Sequence, residues 1–391
     1  MDAAELRELL SPEGLRLLDE VGPIASTEDV VRTVSRLRAA GHPAGLVAAV
    51  LGQARLRAKA AAKFGDFASR MLFTPEGLEQ ATRLRVAALH AGRFGEAGVD
   101  VVADLGCGIG ADAMAFAALD LGVIAVERDE VTAAVAAYNL APFPSARVEL
   151  GDARDADLAG VGGVWLDPAR RSGGRRLPDP GDWSPSLDWA FEVARRHPTG
   201  IKLGPGLPRE LLPEGREAQW VSVDREVVEL VLWSRDVARP GVGRAALVLS
   251  GSGAAELTAA SDSEDAEPGP LGAWLLEPDG AVIRARLIGD LARSVGGRML
   301  DPTIAWITAD DEPSTPFGQV FRVRERFPLD VKTLRRELAA RDIGTLEVKK
   351  RGVDVDPAAF RHSLGLRGSQ PATLVLTRVA GERAAILCDR A

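Results

Sequence analysis

One stretch constrains this chain more than any other: Val101-Val102-Ala103-Asp104-Leu105-Gly106-Cys107-Gly108-Ile109-Gly110. A short apolar run ends in an acid and three glycines at alternate positions, and an alanine-rich segment from Ala111 to about Leu121 follows. This reads as strand, glycine loop, helix. Glycine lacks a Cβ, so Gly106, Gly108 and Gly110 allow a tight turn with a ligand lying against the backbone. Val123-Ile124-Ala125-Val126 is a second buried strand and ends in Glu127, a carboxylate placed to accept hydrogen bonds from a ribose. The fold class is therefore α/β, with a nucleoside-containing cofactor at the C-terminal edge of a parallel sheet. The spacing also suits a dinucleotide. Asp104 favours instead a ligand carrying an ammonium and a sulfonium over one carrying a pyrophosphate.

Later strand ends supply further acids in order. Arg147-Val148-Glu149-Leu150 leads to Gly151-Asp152, and Gly163-Val164-Trp165-Leu166 delivers Asp167-Pro168-Ala169-Arg170-Arg171. With these pieces the chain resembles the class I S-adenosylmethionine-dependent methyltransferases, which implies a Rossmann-like seven-stranded sheet and S-adenosylmethionine as cofactor. The resemblance implies that Asp104, Gly106, Gly108, Gly110, Glu127 and Asp152 hold the cofactor, Asp152 through the adenine amino group. It also places the segment before the first strand over the cofactor, making Phe73, Thr74 and Gln80 candidates. Thr74 caps a helix beginning at Pro75 in the alternative reading.

Asp167-Pro168 resembles the Asp/Asn-Pro-Pro-aromatic motif of amino-group methyltransferases acting on nucleobases, and the Asp-Pro-Pro-Arg of some RNA methyltransferases. The carboxylate and the Pro-flanked carbonyl would orient an acceptor nitrogen toward the methyl group, where most of the catalysis is positioning. Asp167, Pro168 and Arg170 are thus the catalytic candidates. Ala169 and Arg170 depart from the motif and remove the aromatic that would stack a base. Arg170, Arg171, Arg175 and Arg176 fall within seven residues beside Gly173-Gly174; such a cluster suits phosphate, or is a solvated loop. Cys107 lies inside the glycine loop and Cys388 near the end. Neither suits attack on pyrimidine C5, so a nitrogen or oxygen acceptor is expected. The four histidines are scattered without ligand spacing, so no metal site is expected.

Length and composition set the frame. The 391 residues, 46% hydrophobic and 27% charged with net charge −8, fit two or three globular domains. Met1 to Leu10 carries acids among its leucines, so no secretory leader is expected. No run of about 18 apolar residues predicts a membrane span. A cytoplasmic protein with no membrane partner is the expectation; the sequence leaves the oligomeric state open. Residues 1–97 read as a helical domain, 98–250 as the catalytic domain, 251–270 as an acidic solvated linker, and 271–316 as a connecting segment. Within the first, Glu76 to about Phe94 reads as one helix, and Arg55, Arg57, Lys59 and Lys63 lie either on a solvated face or toward an anionic substrate. Lys202, in the fifth strand, reads as a sheet-edge lysine that could alternatively point into the site. Val227–Trp233 and Ala245–Leu249 are expected to pair through Arg239-Pro240-Gly241.

Residues 317–391 read as a small α/β module. Between Arg322 and Arg367 stand 12 Lys or Arg against seven Asp or Glu, a local basic excess. Arg341 to Arg351, containing Lys349-Lys350-Arg351, resembles the THUMP-like domain at the C-terminus of a group of bacterial methyltransferases. Together with Met71–Arg83 and Asp167–Arg171, the resemblance spans nearly the whole chain. THUMP domains proper bind RNA, so the resemblance implies RNA, tRNA or rRNA, as substrate, with Lys349, Lys350, Arg351 and the arginine loop on it. Three alternatives stay open: methylation of a small molecule or protein, a non-enzymatic RNA-binding protein with a vestigial cofactor fold, and a nicotinamide oxidoreductase.

Overall fold

The computed structural model describes residues 1–391 except Ala169, Arg170, Gly173, Gly174, Leu177, Pro178 and Ser252. Its contacts divide into two units, Met1–Leu203 with Leu232–Ala238, and Gly204–Val231 with Arg239–Ala391.

The first unit begins with four helices, α1 (Ala3–Leu9), α2 (Pro12–Val21), α3 (Thr27–Ala39) and α4 (Ala44–Phe64). Asp2, Ser11 and Ser26 cap the first three with side-chain oxygens on backbone N–H groups. Next come α5 (Pro75–Gln80) and α6 (Leu84–Glu96). The single helix expected over Glu76–Phe94 is broken at Ala81–Arg83, where the Lys63 ammonium donates to the carbonyls of Leu78, Glu79 and Ala81 at 2.7–2.8 Å. A cation on the last carbonyls of a helix replaces the bonds its continuation would make.

The sheet of this unit has β1 (Val101–Leu105) at its centre, β2 (Gly122–Glu127) and β3 (Ala146–Leu150) on one side, and β4 (Gly163–Leu166) on the other. After the two-residue ladder β5 (Arg171–Ser172) and β6 (Arg175–Arg176), β7 (Thr199–Leu203) joins beyond β4. The order β7-β4-β1-β2-β3 is parallel throughout. The crossovers run through α7 (Ala111–Ala118), α8 (Glu130–Leu140) and α9 (Leu187–Arg196). In register, Leu105 pairs with both Val126 and Leu166, and Leu166 with Ile201. The strand ends therefore line up, and their acids fall along one edge, as the α/β reading expects.

Between α4 and α5 the extended strap Met71–Thr74 is buried. Its backbone bonds come from side chains. The Arg57 Nε donates to the Met71 carbonyl at 2.9 Å. The Asn139 amide exchanges both bonds with Leu72, and the Gln53 amide both with Phe73. Arg57 and Lys63 thus hold backbone, and neither alternative of a solvated face or a substrate face describes them. Arg55 and Lys59 are exposed.

In the second unit, β8 (Glu217–Val223) and β9 (Glu226–Ser234, whose last residues belong to the first unit) are followed by β10 (Arg244–Ser250) and β11 (Gly253–Ala259). The expected pairing of 227–233 with 245–249 does not form: β10 lies parallel to β8 and antiparallel to β11. The tight turn is instead Asp224–Arg225, with φ of 49° and 72°, the double positive φ of a type I′ hairpin. The expected acidic linker 251–270 starts with β11, and its Asp262 carboxylate bonds Arg209 and Arg244.

A seven-stranded sheet closes the unit. β12 (Trp274–Pro278), α10 (Gly280–Arg284), α11 (Ile288–Ser294), β13 (Arg298–Asp301) and β14 (Ile304–Ala309) precede β15 (Gly318–Pro328), α12 (Val331–Ala340), β16 (Ile343–Lys350), α13 (Pro357–Leu364), β17 (Gln370–Val379) and β18 (Glu382–Arg390). Strand order is β13-β14-β12-β15-β18-β17-β16. The segment 271–316, expected to be only a connection, supplies three of these strands, because β12 pairs with β14 on one side and β15 on the other. One core joins Phe327, Leu334, Leu338, Phe360 and Leu364, the inward residues of α12 and α13 among them, and a second gathers Trp306 and Phe321.

Candidate functional site

The aligned strand ends of the first unit open into a cavity of about 470 Å³, within the range of small-molecule and cofactor sites. Its floor is the glycine loop. Gly106, Gly108 and Gly110 have φ of 88°, 56° and 85°, values that favour glycine at each. The N–H groups of Gly106 and Cys107 both donate to the Val126 carbonyl, at 2.9 and 3.1 Å. A Cβ on Gly106 would stand 3.3 Å from the Asp167 carbonyl, whereas one on Gly108 would meet nothing within 4 Å. The loop is thus packed against the sheet at its first glycine and open at its second.

Two carboxylates hold fixed positions around the loop. Glu127 Oε2 accepts from Gly108 N at 3.1 Å and Oε1 from Asp129 N at 2.9 Å, so the loop orients the acid that follows β2. Asp152 accepts from the Arg154 guanidinium at 2.9 and 2.8 Å and from the Arg154 N–H at 2.9 Å. These bonds hold its carboxyl at about 2. Thr74, at the end of the strap, accepts from Gly77 N at 3.0 Å and lines the cavity together with Gln80. It is both cap and wall. Phe73 is core, fully buried against Phe64.

Asp104, Gly110 and Pro168 are placed differently from the expectation: none of them lines the cavity. Asp104 lies beneath the loop, 1% exposed, with Oδ2 lacking a hydrogen-bond partner among the described residues. Burial pushes its carboxyl well above the usual range, and the nearby Asp112 and Asp167 add to this. An orphaned acid under a cavity floor favours a cation above it. Burial likewise pushes the Cys107 thiol well up, which removes it as a nucleophile.

The far wall carries Asp167, one residue past β4, with Pro168 buried behind it. Lys202 of β7 extends one residue beyond the Leu166–Ile201 pair, and its Nζ lies 2.5 Å from Asp167 Oδ2. Of the two readings of Lys202, the structure realises the one that faces the site. The same Nζ donates to Thr82 Oγ1 at 2.9 Å, and Thr82 donates to Asp112 Oδ2 at 2.6 Å. His90 Nδ1 lies 2.8 Å from Asp112 Oδ1, and its ring stacks on Trp165 at 4.3 Å between centroids. Burial alone would raise the Asp112 carboxyl, but the bond and charge of His90, then Lys202 and Thr82, hold it below the usual range. Sequence reasoning missed Thr82, His90 and Asp112. Asp112 carries a faint signal, two residues past the last glycine in the first turn of α7. Thr82 and His90 carry none.

Arg170 lies outside the described residues. The backbone of Arg171 and Arg176 pairs in the β5–β6 ladder, while the side chains of Arg171, Arg175 and Arg176 lie outside what the structure describes. In the second unit the basic run does not form a common face. Lys349 bonds the Glu277 carboxylate at 2.9 Å, and Arg351 donates to the Ala305 carbonyl at 2.7 Å over the Trp306 ring. Burial lowers the Arg351 guanidinium. Lys350 is exposed. The reading of Lys349 and Arg351 as a substrate surface is corrected accordingly. Among the described residues no group of three or more His, Cys, Asp or Glu could hold a metal, and no helix is long and apolar enough to cross a membrane.

Comparison with known proteins places these features in context. A family described as THUMP domain-like matches residues 318–390, and a domain of unknown function (DUF8688) matches 2–60. Uncharacterized S-adenosylmethionine-dependent methyltransferases of two Mycobacterium tuberculosis strains are each 35% identical over 340 residues, covering 83% of this chain and 90% of theirs. A crystal structure from Porphyromonas gingivalis W83, provisionally described as a methyltransferase, superposes with a TM-score of 0.75 over 100% of this chain and 99% of its own, at 20% identity. That likeness establishes the fold.

Proposed function

The chain belongs to the S-adenosylmethionine-dependent methyltransferases, and from that premise we propose that it methylates a nitrogen or oxygen acceptor on RNA, tRNA or rRNA. One observation carries the assignment of the site: Asp167 faces the same cavity as the open Gly108, Glu127 and Asp152. The residues present fit the cofactor. The volume is adequate, Gly108 leaves its side of the floor clear, and the acids, the orphaned Asp104 among them, suit a ligand bearing positive charge. Glu127 would hold the ribose hydroxyls, Asp152 the adenine amino group, and Thr74 and Gln80 the amino-acid end.

When bound, S-adenosylmethionine supplies a methyl group on a sulfonium. Asp167 accepts a hydrogen bond from the acceptor N–H or O–H, aims its lone pair across the cavity, and is the base to which the displaced proton passes. Cys107, buried and held as a thiol, argues for direct transfer rather than a covalent route through pyrimidine C5.

The RNA assignment is supported by the THUMP domain-like match and by the outer faces of α12 and α13. Lys332, Arg335 and Arg336 on α12 are exposed, as are Arg361 on α13 and Arg367 after it. Arginine and lysine on a common helical layer suit phosphates. The test is nucleoside mass spectrometry of RNA from a strain lacking the gene: one methylated nucleoside should disappear and return with the wild-type gene. An unchanged nucleoside profile would point to a small-molecule or protein substrate.

A further inference from the structure

The wall behind Asp167 is not built as the neighbouring sheet is. Val164, Trp165 and Leu166 of β4 and Ile201 and Leu203 of β7 are buried apolar residues. Lys202 stands among them, 7% exposed, where an apolar side chain would fill the space with no desolvation penalty. Behind it Thr82, Asp112 and His90 are buried too, at 5%, 6% and 2% exposure. Burying so many polar groups is unfavourable unless each is bonded, and here each is.

The chain also has a direction. Thr82 directs its hydroxyl proton to Asp112, so its lone pairs are left for Lys202, which must therefore be a donor. His90, opposite Asp112 and stacked on Trp165, blocks that carboxylate from turning away. The Lys202 ammonium is in this way held at the cavity wall by Thr82, and its second bond fixes Asp167 beside it.

We propose that Lys202 is the positioning residue for Asp167: it keeps the carboxylate ionised and in one orientation at the cavity wall, and the Thr82–Asp112–His90 chain holds the lysine in turn. This rests on the reading of Asp167 as the group that orients the acceptor. Charged groups face the pair from every side. Asp104 of β1 interacts with both members of the pair and with Glu127 of β2, while Asp112 of α7 and Lys63 of α4 interact with Lys202. Asp104 stands close enough to Asp167 for their charges to repel, and the Lys202 ammonium supplies the opposite charge. An ionised Asp167 is the form able both to accept the acceptor's hydrogen bond and to receive its proton.

The experiment uses full-length protein labelled with [13C]aspartate, the Asp167 signal being identified by its loss in Asp167→Asn. In Lys202→Met the titration midpoint of Asp167 should rise by at least about one pH unit, because the opposite charge within 4–6 Å is gone. In Lys202→Arg, which retains the charge, it should stay within half that shift. A midpoint that does not move in Lys202→Met overturns the proposal whatever the substrate proves to be. Methyl incorporation into RNA from the deletion strain, followed in single turnover across pH, provides the second readout. Lys202→Met should lose about 100-fold at neutral pH, with the acid limb moved upward, and Lys202→Arg should recover most of the rate. A loss equal at every pH would make the lysine merely structural and overturn the proposal. Full activity of Asp167→Ala would instead overturn the reading beneath it, and the two failures are thereby told apart.

Discussion

The glycine loop of the first unit and the Lys349-Lys350-Arg351 run of the second are the two most conspicuous motifs in this sequence, and they end differently. The loop sets Gly106 to Ile109 at the floor of a cavity. The basic run disperses: Lys349 bonds Glu277, Arg351 bonds a carbonyl over Trp306, and Lys350 alone of the three is exposed. The difference lies in what each motif specifies. Alternate glycines act on their own backbone, so their effect is local. Successive residues at the end of a strand point to opposite faces, so three cations in a row cannot share a surface. On α12, by contrast, Lys332, Arg335 and Arg336 are all exposed, because residues three and four apart on a helix share a face.

The largest test of that contrast is Asp167→Ala. Methyl transfer should fall by about 10³-fold, while S-adenosylhomocysteine still binds within a few-fold by calorimetry; intact turnover would remove the loop's edge from the chemistry. Next is Glu127→Ala, which deletes the carboxylate that Gly108 orients. Affinity for S-adenosylhomocysteine should fall by about 10- to 100-fold, the range for a hydrogen bond to a charged group. An unchanged affinity would mean that the loop positions an acid the ligand does not use.

The second unit offers a smaller, two-sided test. Lys349→Ala should destabilise the protein by about 1–2 kcal/mol in chemical denaturation, because Glu277 loses a close partner, and should leave RNA affinity alone. Lys350→Ala should stay within about 0.5 kcal/mol of wild type. Reversing Lys332 and Arg335 together should weaken binding of bulk tRNA and flatten its salt dependence. If Lys349→Ala does so instead, the basic run is a surface after all.

The smallest effect concerns pH. Burial first, then the charges of Lys202 and Arg83, lowers the Lys63 ammonium from its ordinary 10.5 to about 8. Between those values the unfolded chain holds a proton that the folded protein has released. Stability should therefore rise with pH across that window, with no pH dependence from this group below pH 8, where both states are protonated. The difference in melting temperature between wild type and Lys63→Met should change with pH across that window and stay constant below it.

The strands of the first sheet and the acids at its edge were legible because each depends on apolar runs and local turn chemistry. Asp167 and Glu127 could be named for the same reason. Asp104 was misplaced because a residue at a strand end can point above or beneath the loop, and spacing alone does not say which. Thr82 and His90 were invisible since their partner, Asp112, lies 30 and 22 residues away. Lys202 was open to two readings. The pairing of Ile201 with Leu166 decides between them by setting Lys202 level with Asp167, and register is a property of two strands together. The arrangement of β12, β13 and β14 escaped notice for a related reason: nothing in their sequence announces β15 as a partner.

The strap at Met71–Thr74 has a consequence of another kind. An ordinary strand recognises its neighbour through backbone that any residue provides, so its pairing survives most substitutions and can also slip. This strap is recognised by two amides and a guanidinium, so its address is written in residue identity. A shift by one position would leave Gln53 and Asn139 each facing the wrong peptide. Changing either to its isosteric acid would set a carboxylate against the carbonyl its amide now serves, while barely altering size or helix-forming tendency. Thr74 rides on this strap into the cavity wall, so the geometry of the cavity depends on the spelling of two helices, α4 and α8.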